Sequence, residues 1–286
     1  MASEKPTITV TSTSGKGYLS RTSPTMVSAF SKDTCWAYFL NHLPRDSAAR
    51  TSLRRLLFHC MFSAAALKNA TFYEASYTDL DPANPKDKKG EEGGGEGRPF
   101  QSAAIILPPG EAIDNISLFG WLSLIPQGLP KLLYKCGPRH FHRILFEYGA
   151  VADSAKRIKF PLKSQAKKEG YFYVLIIGTE ESCRGRGLAG ELMKRVLRDA
   201  EKAGKPVWLE ATSLMSMELY ERLGFRVVGK AGEAGSLVLG KGKCDASGEN
   251  AKGEEAVGVK IWPMVWIPEG CGEGEAGRRD SGFGER

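Results

Sequence analysis

A run of apolar and aromatic residues at positions 171–178 (YFYVLIIG) constrains the fold more than any other feature of this chain. A segment with so few polar residues predicts a strand that is buried on both faces in the middle of a sheet. A short polar turn follows, then RGRG at 184–187, and then a helix over about 188–203 with its apolar residues on one face. The order predicts a central strand, a glycine-rich turn and an amphipathic helix.

The turn has the composition of an anion-binding site. The first turn of a helix carries unpaired N–H groups and the positive end of the helix dipole. Gly185, Gly187 and Ala189 leave room for an oxyanion to approach those donors, and Arg184 and Arg186 supply charge. The spacing fits neither a P-loop nor the dinucleotide-binding fingerprint. A phosphate or pyrophosphate site is therefore expected, and an ordinary turn with solvent-facing arginines is the alternative.

Strands and helices alternate along the rest of the chain. Their composition predicts strands at 7–12, 71–77, 102–107, 206–211, 225–229 and 259–267. Apolar residues at helical spacing predict helices after Pro24, over 52–68 and over 215–223. A strand–helix–strand unit with short links gives a parallel pair, whereas hairpins give antiparallel pairs. Together, these elements predict an α+β fold with a mixed sheet.

Composition also divides the chain. Three segments rich in glycine and charge predict a disordered loop at 81–98, a flexible loop at 240–253 and a disordered tail at 270–286. The remainder, 1–269, is expected to form one domain. Residues 114–168 predict a mostly helical insertion rich in aromatic side chains. These aromatics, with Phe119, Trp121 and Phe146 as candidates, either line an acceptor pocket under a mobile lid or fill an added core.

Charge and cysteine content exclude some classes of protein. The net charge of +7 suits nucleic acid, an acidic membrane or a phosphate-bearing cofactor, so charge alone does not choose. The chain has no recognised nucleic-acid motif, and its most apolar stretch, 116–134, is interrupted by glycine and proline. Six cysteines and four histidines lack metal-ligand spacing, which predicts reduced thiols and no metal. Without an apolar run at its start, the chain is expected in the cytoplasm, with the nucleus possible.

Two motifs resemble one family. Arg184-x-x-Gly187-x-Ala189 resembles the Gln/Arg-x-x-Gly-x-Gly/Ala signature of the GNAT superfamily of N-acetyltransferases, and 219–225 (LYERLGF) resembles its Leu-Tyr-x-x-Leu-Gly-Phe segment. The clear resemblance covers 171–229, and the helical segment is similar to an insertion in some fungal members. The resemblance implies a mostly antiparallel central sheet that is flanked by helices.

The resemblance also implies where acetyl-CoA would lie. Its pyrophosphate is expected on the backbone amides of 184–190, and its pantetheine arm beside the end of the central strand. A bulge at Gly178 would splay that strand from its neighbour. The implied coenzyme-binding residues are Ile177, Gly178, Thr179, Arg184, Gly185, Arg186, Gly187, Leu188, Ala189 and Gly190.

Tyr220 falls on the position that, in many members of the family, protonates the departing thiolate. A phenol with a reference pKa of about 10 suits that task; a buried tyrosine that packs the short helix is the alternative. An amine acceptor must also lose a proton, and Glu210 is the first candidate for the base, with Glu74 second. A structural role stays open for both glutamates. Cys183 is interpreted as a turn residue, since the family transfers its acyl group directly.

These expectations describe an N-acetyltransferase that moves the acetyl group of acetyl-CoA to an amine by direct attack. The acceptor is expected to be a small molecule, without nucleic-acid or membrane partners. A non-catalytic acyl-CoA-binding regulatory module and a protein or peptide N-acetyltransferase are the alternatives.

Overall fold

The computed structural model describes residues 7–77, 100–113, 116–159, 170–228 and 235–269, with the backbone alone for 156–159. The predicted disordered segments 81–98 and 270–286 lie outside these residues. The strands are β1 (Ile8–Ser14), β2 (Thr71–Tyr77), β3 (Ser102–Leu107), β4 (Phe172–Thr179), β5 (Val207–Ala211), β6 (Arg226–Val227), β7 (Leu237–Leu239) and β8 (Val259–Trp266). The helices are α1 (Leu19–Ala29), α2 (Thr34–Leu40), α3 (Ala48–Leu67), α4 (Leu118–Ser123), α5 (Leu129–His142), a π-helical turn (Arg143–Glu147), α6 (Tyr148–Lys159), α7 (Leu188–Ala203) and α8 (Leu214–Arg222).

The strands form one sheet in the order β1-β2-β3-β4-β5-β8-β6, and β7 pairs with the other end of β8. Strands β1 to β4 are antiparallel neighbours, β4 and β5 are parallel, and β8 is antiparallel to β5, β6 and β7. The predicted mixed, mostly antiparallel α+β sheet is confirmed. Helix α7 packs on one face, and α1 and α3 pack on the other.

The two parallel strands part soon after they meet. Over the described lengths of β4 and β5, pairing is confined to Phe172–Val207 and Tyr173–Trp208. Beyond this point β4 keeps its antiparallel partner β3 on one side only. A gap therefore opens in the middle of the sheet at the carboxyl end of β4.

The bulge in β4 lies three residues before the predicted position. The register with β3 shifts between Val174 and Ile176, which leaves Leu175 as the extra residue. Leu175 and Ile176 consequently pack with the α1–α3 core, whereas Val174 and Ile177 pack with the α7 core.

Gly178 itself is regularly paired with Ala103 and not bulged, which corrects the prediction. A Cβ at Gly178 would lie 2.8 Å from the Cβ of Ala29 and 2.9 Å from Cε2 of Phe30. Glycine is needed here because the end of α1 comes this close to β4.

The helix expected after Pro24 differs from the observed one. Helix α1 begins at Leu19, includes Pro24 and ends at Ala29, and a separate α2 begins at Thr34. Asp33 caps α2 by accepting the N–H of Trp36 at 3.0 Å. Burial of Met26 and Val27 against the sheet outweighs the helix-breaking tendency of Pro24.

Residues 240–253, which composition predicts as a flexible loop, form successive hydrogen-bonded turns. The carboxylate of Asp245 accepts the backbone N–H groups of Ser247 and Glu249 at 2.8 and 3.0 Å. Asn41 donates to the carbonyl of Gly248 at 3.1 Å, and its own carbonyl accepts from Asn250 at 2.6 Å. Composition counts apolar side chains and therefore misses a segment that is held by polar contacts. In the part of the chain that the structure describes, no helix is long and apolar enough to cross a membrane.

Candidate active site

A cavity of about 930 Å³ opens at the gap between β4 and β5. One end is formed by the turn between β4 and α7, and the other by apolar residues of α3, α5 and α6. The ends of β4 and β5 and helix α8 form its middle. The volume lies in the range of small-molecule sites, and one continuous space joins the glycine-rich turn to the helical segment.

The turn before α7 is built for close approach of an anion. Gly185 and Gly187 have φ values of +75° and +88°, a region that non-glycine residues rarely adopt. Gly187 is the N-cap of α7 and provides no side-chain acceptor, so the amides of Leu188, Ala189 and Gly190 are left without a capping side chain. Side chains at Gly185 or Gly190 would meet open space, which leaves room for a ligand above these donors.

Arg184 lines the cavity, and its guanidinium is hydrogen-bonded to two backbone carbonyls of the protein. Its Nη2 donates to the carbonyl of Ala29 at 2.6 Å, and its Nε donates to the carbonyl of Thr179 at 3.3 Å. The side chain thus ties the turn to the C-terminal end of α1, where carbonyl groups attract a cation. Arg186 is exposed, and its carbonyl accepts from the hydroxyl of Tyr77 at 3.1 Å. Phosphate contacts by either guanidinium stay a prediction.

Ile177, Gly178 and Thr179 all line the cavity, as do Gly185 and Leu188. The carbonyl of Thr179 accepts from Nε of Arg184 and keeps a second lone pair for a further donor. The Thr179 hydroxyl lies 2.9 Å from the hydroxyl of Ser102 on β3. Cys183 also lines the cavity, in a 3₁₀ turn.

Tyr220 reaches the cavity wall from α8. The residue is 6% exposed, and its ring packs against Phe225 at a centroid separation of 5.7 Å. Its hydroxyl makes no hydrogen bond with the described residues. Burial raises the pKa of Tyr220, so the phenol stays protonated at neutral pH.

Glu210 on β5 is held by three donors. Its Oε1 accepts from the indole of Trp208 at 2.6 Å, and its Oε2 accepts from the hydroxyls of Tyr173 and Tyr148 at 2.8 and 3.2 Å. Both tyrosines line the cavity, and the surrounding protein desolvates their hydroxyls and raises the pKa of each. These bonds fix the carboxylate between the sheet and the start of α6.

A second carboxylate, that of Asp33, also lines the cavity. It accepts from the hydroxyl of Thr212 at 2.6 Å as well as from the N–H of Trp36. Burial raises its pKa, although these hydrogen bonds oppose the shift. Glu74, by contrast, does not line this cavity: it lies on β2, where it accepts from Thr11 at 3.0 Å and from Ser76 at 2.9 Å.

Sequence reasoning missed the donors around Glu210. Trp208 stands two residues before Glu210 on the same strand, so their shared face was a usable signal. Tyr148 lies 62 positions away on a helix, and the sequence holds no signal that joins it to Glu210. Asp33 was missed for a similar reason: it caps α2, and the sequence predicted one helix that begins after Pro24 rather than a separate α2 that begins at Thr34.

The far end of the cavity is apolar, but not with the aromatics expected. Phe119 and Phe146 are 81% and 61% exposed, so they do not line it. Trp121 does line it, together with Trp36, Phe39, Leu57, Phe141 and Tyr148. Over the described residues, no cluster of three or more His, Cys, Asp or Glu side chains is placed to hold a metal ion.

Comparison with known proteins agrees with this arrangement. Residues 152–225, which include β4, the glycine-rich turn, β5 and α8, match the model of the Acetyltransferase (GNAT) family. This segment of the chain is a GNAT acetyltransferase domain. An uncharacterized N-acetyltransferase of Schizosaccharomyces pombe is 22% identical over 126 residues, which are 44% of this chain. The match spans 47% of that relative's length.

Two of the similar solved structures share the fold of this chain. A putative arylalkylamine N-acetyltransferase 7 from Aedes aegypti aligns with a TM-score of 0.54 at 12% identity, over 91% of this chain and 87% of its own. A mosquito arylalkylamine N-acetyltransferase-like 5b aligns with a TM-score of 0.50 at 14% identity, over 91% and 100%. At these identities the likeness concerns the fold.

Proposed function

We propose that this GNAT protein transfers the acetyl group of acetyl-CoA to the amine of a small apolar acceptor by direct attack. The observation that carries the proposal is the single cavity that joins the amides at the start of α7 to Tyr220 and Glu210. A donor site, a proton donor and a carboxylate therefore share one space with room for a second substrate.

The residues at the start of α7 fit the diphosphate of coenzyme A. Uncapped N–H groups of Leu188, Ala189 and Gly190 and the helix dipole favour an anion, and positive-φ glycines keep side chains away from it. Arg184 holds this turn against α1 and β4. We assign it the role of setting the shape of the turn, and Ile177, Gly178 and Thr179 the wall beside the pantetheine arm.

Tyr220 is the proposed general acid. When the amine nitrogen bonds to the thioester carbon, the C–S bond breaks and the sulfur leaves as a thiolate that needs a proton. The phenol is protonated at neutral pH, since its reference pKa of about 10 is raised further by burial, and its hydroxyl is not engaged by the described residues. It can therefore deliver its proton to the sulfur.

Glu210 is the proposed acceptor of the proton that the amine loses. An ammonium with a reference pKa of about 10 cannot attack until it is deprotonated. Glu210 lines the cavity with a fixed carboxylate, and a water molecule at this carboxylate would relay the proton. Asp33 adds a second acidic group that would attract the ammonium.

The shape of the cavity favours a small apolar amine over a peptide. Trp36, Phe39, Trp121 and Phe141 surround its far end, and burial of an apolar acceptor there would contribute binding energy. A peptide would need an open groove that holds its extended backbone. The two fold neighbours are named as arylalkylamine N-acetyltransferases, which agrees with this class of acceptor.

The test is release of the coenzyme A thiol from acetyl-CoA in the presence of aromatic, aliphatic and polyamine acceptors and of free peptide N-termini. The proposal expects release that depends on the amine and is fastest with apolar amines. Release with peptides alone would favour the protein N-acetyltransferase. Tight binding of acetyl-CoA without turnover on any amine would favour a non-catalytic module.

A further inference from the structure

A second, smaller pocket lies outside the proposed active site, between the α1–α2 connection and the first turns of α3. Its volume is about 140 Å³, which is far below that of a cofactor site and matches a group of a few heavy atoms. Its wall is polar and mostly charged, and consists of Ser31, Lys32, Ala37, Arg45, Asp46, Arg50, Thr51, Arg54 and Glu249.

Arg54 is the unusual member of this wall. Its side chain is on the buried side of α3, and the residue is only 6% exposed. Its Nη2 donates to the carbonyl of Ser31 at 3.3 Å, and its buried Nε has no hydrogen-bond partner among the described residues. Within the described part of the chain, no carboxylate lies within ion-pair distance of Arg54.

The neighbouring charges compensate it only in part: the carboxylates of Asp33 and Asp46 raise the pKa of Arg54, whereas burial and Arg50 lower it. Arg50 pairs with Glu249 at 2.8 Å and donates to the carbonyl of Ala37 at 2.6 Å, so Glu249 is already engaged. The buried Nε of Arg50 likewise has no hydrogen-bond partner in the part of the chain that the structure describes. The pocket wall contains four cationic side chains and two carboxylates, those of Asp46 and Glu249.

A buried guanidinium that no carboxylate contacts directly costs free energy, because it has lost hydration and is compensated only in part. A planar fork of N–H donors fits the oxygens of a carboxylate or phosphate. We propose that this pocket binds a small oxyanion, a phosphate or carboxylate group, with Arg54 as its principal ligand. The hydroxyls of Ser31 and Thr51, also on the wall, are further donors of suitable size.

Two sources of the oxyanion fit this position. Lys32 lines both this pocket and the large cavity, so the two spaces adjoin. The oxyanion is therefore either an acidic group on the acceptor or a free anion that binds independently. In either case the oxyanion would contact Arg54. Whether phosphate competes with the amine acceptor for binding distinguishes the two sources.

The test is binding of inorganic phosphate to the full chain, measured by calorimetry and by thermal shift at constant ionic strength, with chloride as the reference. Saturating coenzyme A is present throughout, so that the turn before α7 does not take up the phosphate. Wild-type protein is compared with Arg54→Gln and with Arg55→Gln. Arg55 is the exposed next residue on α3, so its variant removes the same charge without touching the pocket.

The expected result is phosphate binding to the wild type and Arg55→Gln, with at least about ten-fold weaker binding to Arg54→Gln, since a hydrogen bond to a charged group is worth about 1.5–3 kcal/mol. Equal affinity in all three proteins, or no binding of phosphate or acetate to the wild type, would overturn the proposal. If Arg54→Gln does not fold, Arg45→Gln at the exposed rim of the pocket replaces it. A smaller loss of phosphate affinity is then expected, and an unchanged affinity would count against the site.

Phosphate that competes with the amine identifies the oxyanion as part of the acceptor. Binding without competition identifies an independent anion.

Discussion

Replacement of Gly178 by alanine tests the close contact that brings α1 against the strand beside the cavity. The added Cβ would lie 2.8 Å from the Cβ of Ala29, 2.9 Å from Cε2 of Phe30 and 3.0 Å from Sδ of Met26. Ordinary carbon–carbon contacts are about 3.5–4.0 Å long, so the first contact is short by at least about 0.7 Å. The ring and the thioether can rotate away, whereas the Ala29 methyl moves only with α1.

We therefore expect Gly178→Ala to lower the free energy of unfolding by about 1–3 kcal/mol, the usual cost of overpacking. Displacement of α1 also shifts the Ala29 carbonyl that accepts from Arg184, so acetyl-CoA should bind more weakly. Urea unfolding measures the first effect and calorimetry the second. Gly149→Ala on α6 is the matched control for unfolding only, since Gly149 lines the cavity; its Cβ would meet nothing within 4 Å, and no loss of stability is expected. Equal urea midpoints for Gly178→Ala and the wild type would refute the packing argument.

Three further predictions address the chemistry. Tyr220→Phe should lower kcat by about 10²–10⁴-fold without a change in the free energy of unfolding. Tyr134→Phe, at an exposed ring, is the control and should leave kcat unchanged. Equal kcat values for Tyr220→Phe and the wild type would show that Tyr220 is not the general acid. If the two hydrogen bonds of the Arg184 guanidinium hold the turn, Arg184→Lys should weaken acetyl-CoA binding nearly as much as Arg184→Met. Normal binding by Arg184→Lys would instead indicate that the positive charge contacts the phosphate directly. Folded Tyr148 and Tyr173 have raised pKa values, so both keep their protons while the unfolded side chains ionise above about pH 10. Stability should be constant below that pH and fall as the pH rises, by about 1.4 kcal/mol per pH unit for each tyrosine, and Tyr148→Phe should flatten the fall in urea-midpoint measurements from pH 8 to 11.

The sequence predicted the central strand, the glycine-rich turn and helix α7 well because each has a strong local signal. The unbroken apolar run of β4 and the regularly spaced apolar residues of α7 are both visible in the sequence itself. Helix α7 begins and ends at the predicted residues. The hairpin of β2 and β3 was likewise found at its observed bounds. Strand β7 was missed because three residues are too few to show alternation.

The features that could not be predicted from the sequence depend on contacts between distant residues. The gap between β4 and β5 and the bulge at Leu175 depend on register with β3, which no local pattern reports. Tyr148 reaches Glu210 because α6 packs over the sheet, and Arg184 turns toward the carbonyl of Ala29 because α1 ends there. Local signals therefore located the turn before α7, whereas the surroundings of Glu210 required the fold.

The most direct test of the account is a crystal structure of the protein with coenzyme A. The account predicts that oxygens of the pyrophosphate accept hydrogen bonds from the amides of Leu188, Ala189 and Gly190, and that the sulfur lies beside the hydroxyl of Tyr220. A pyrophosphate bound away from the start of α7, or a sulfur out of reach of Tyr220, would contradict it.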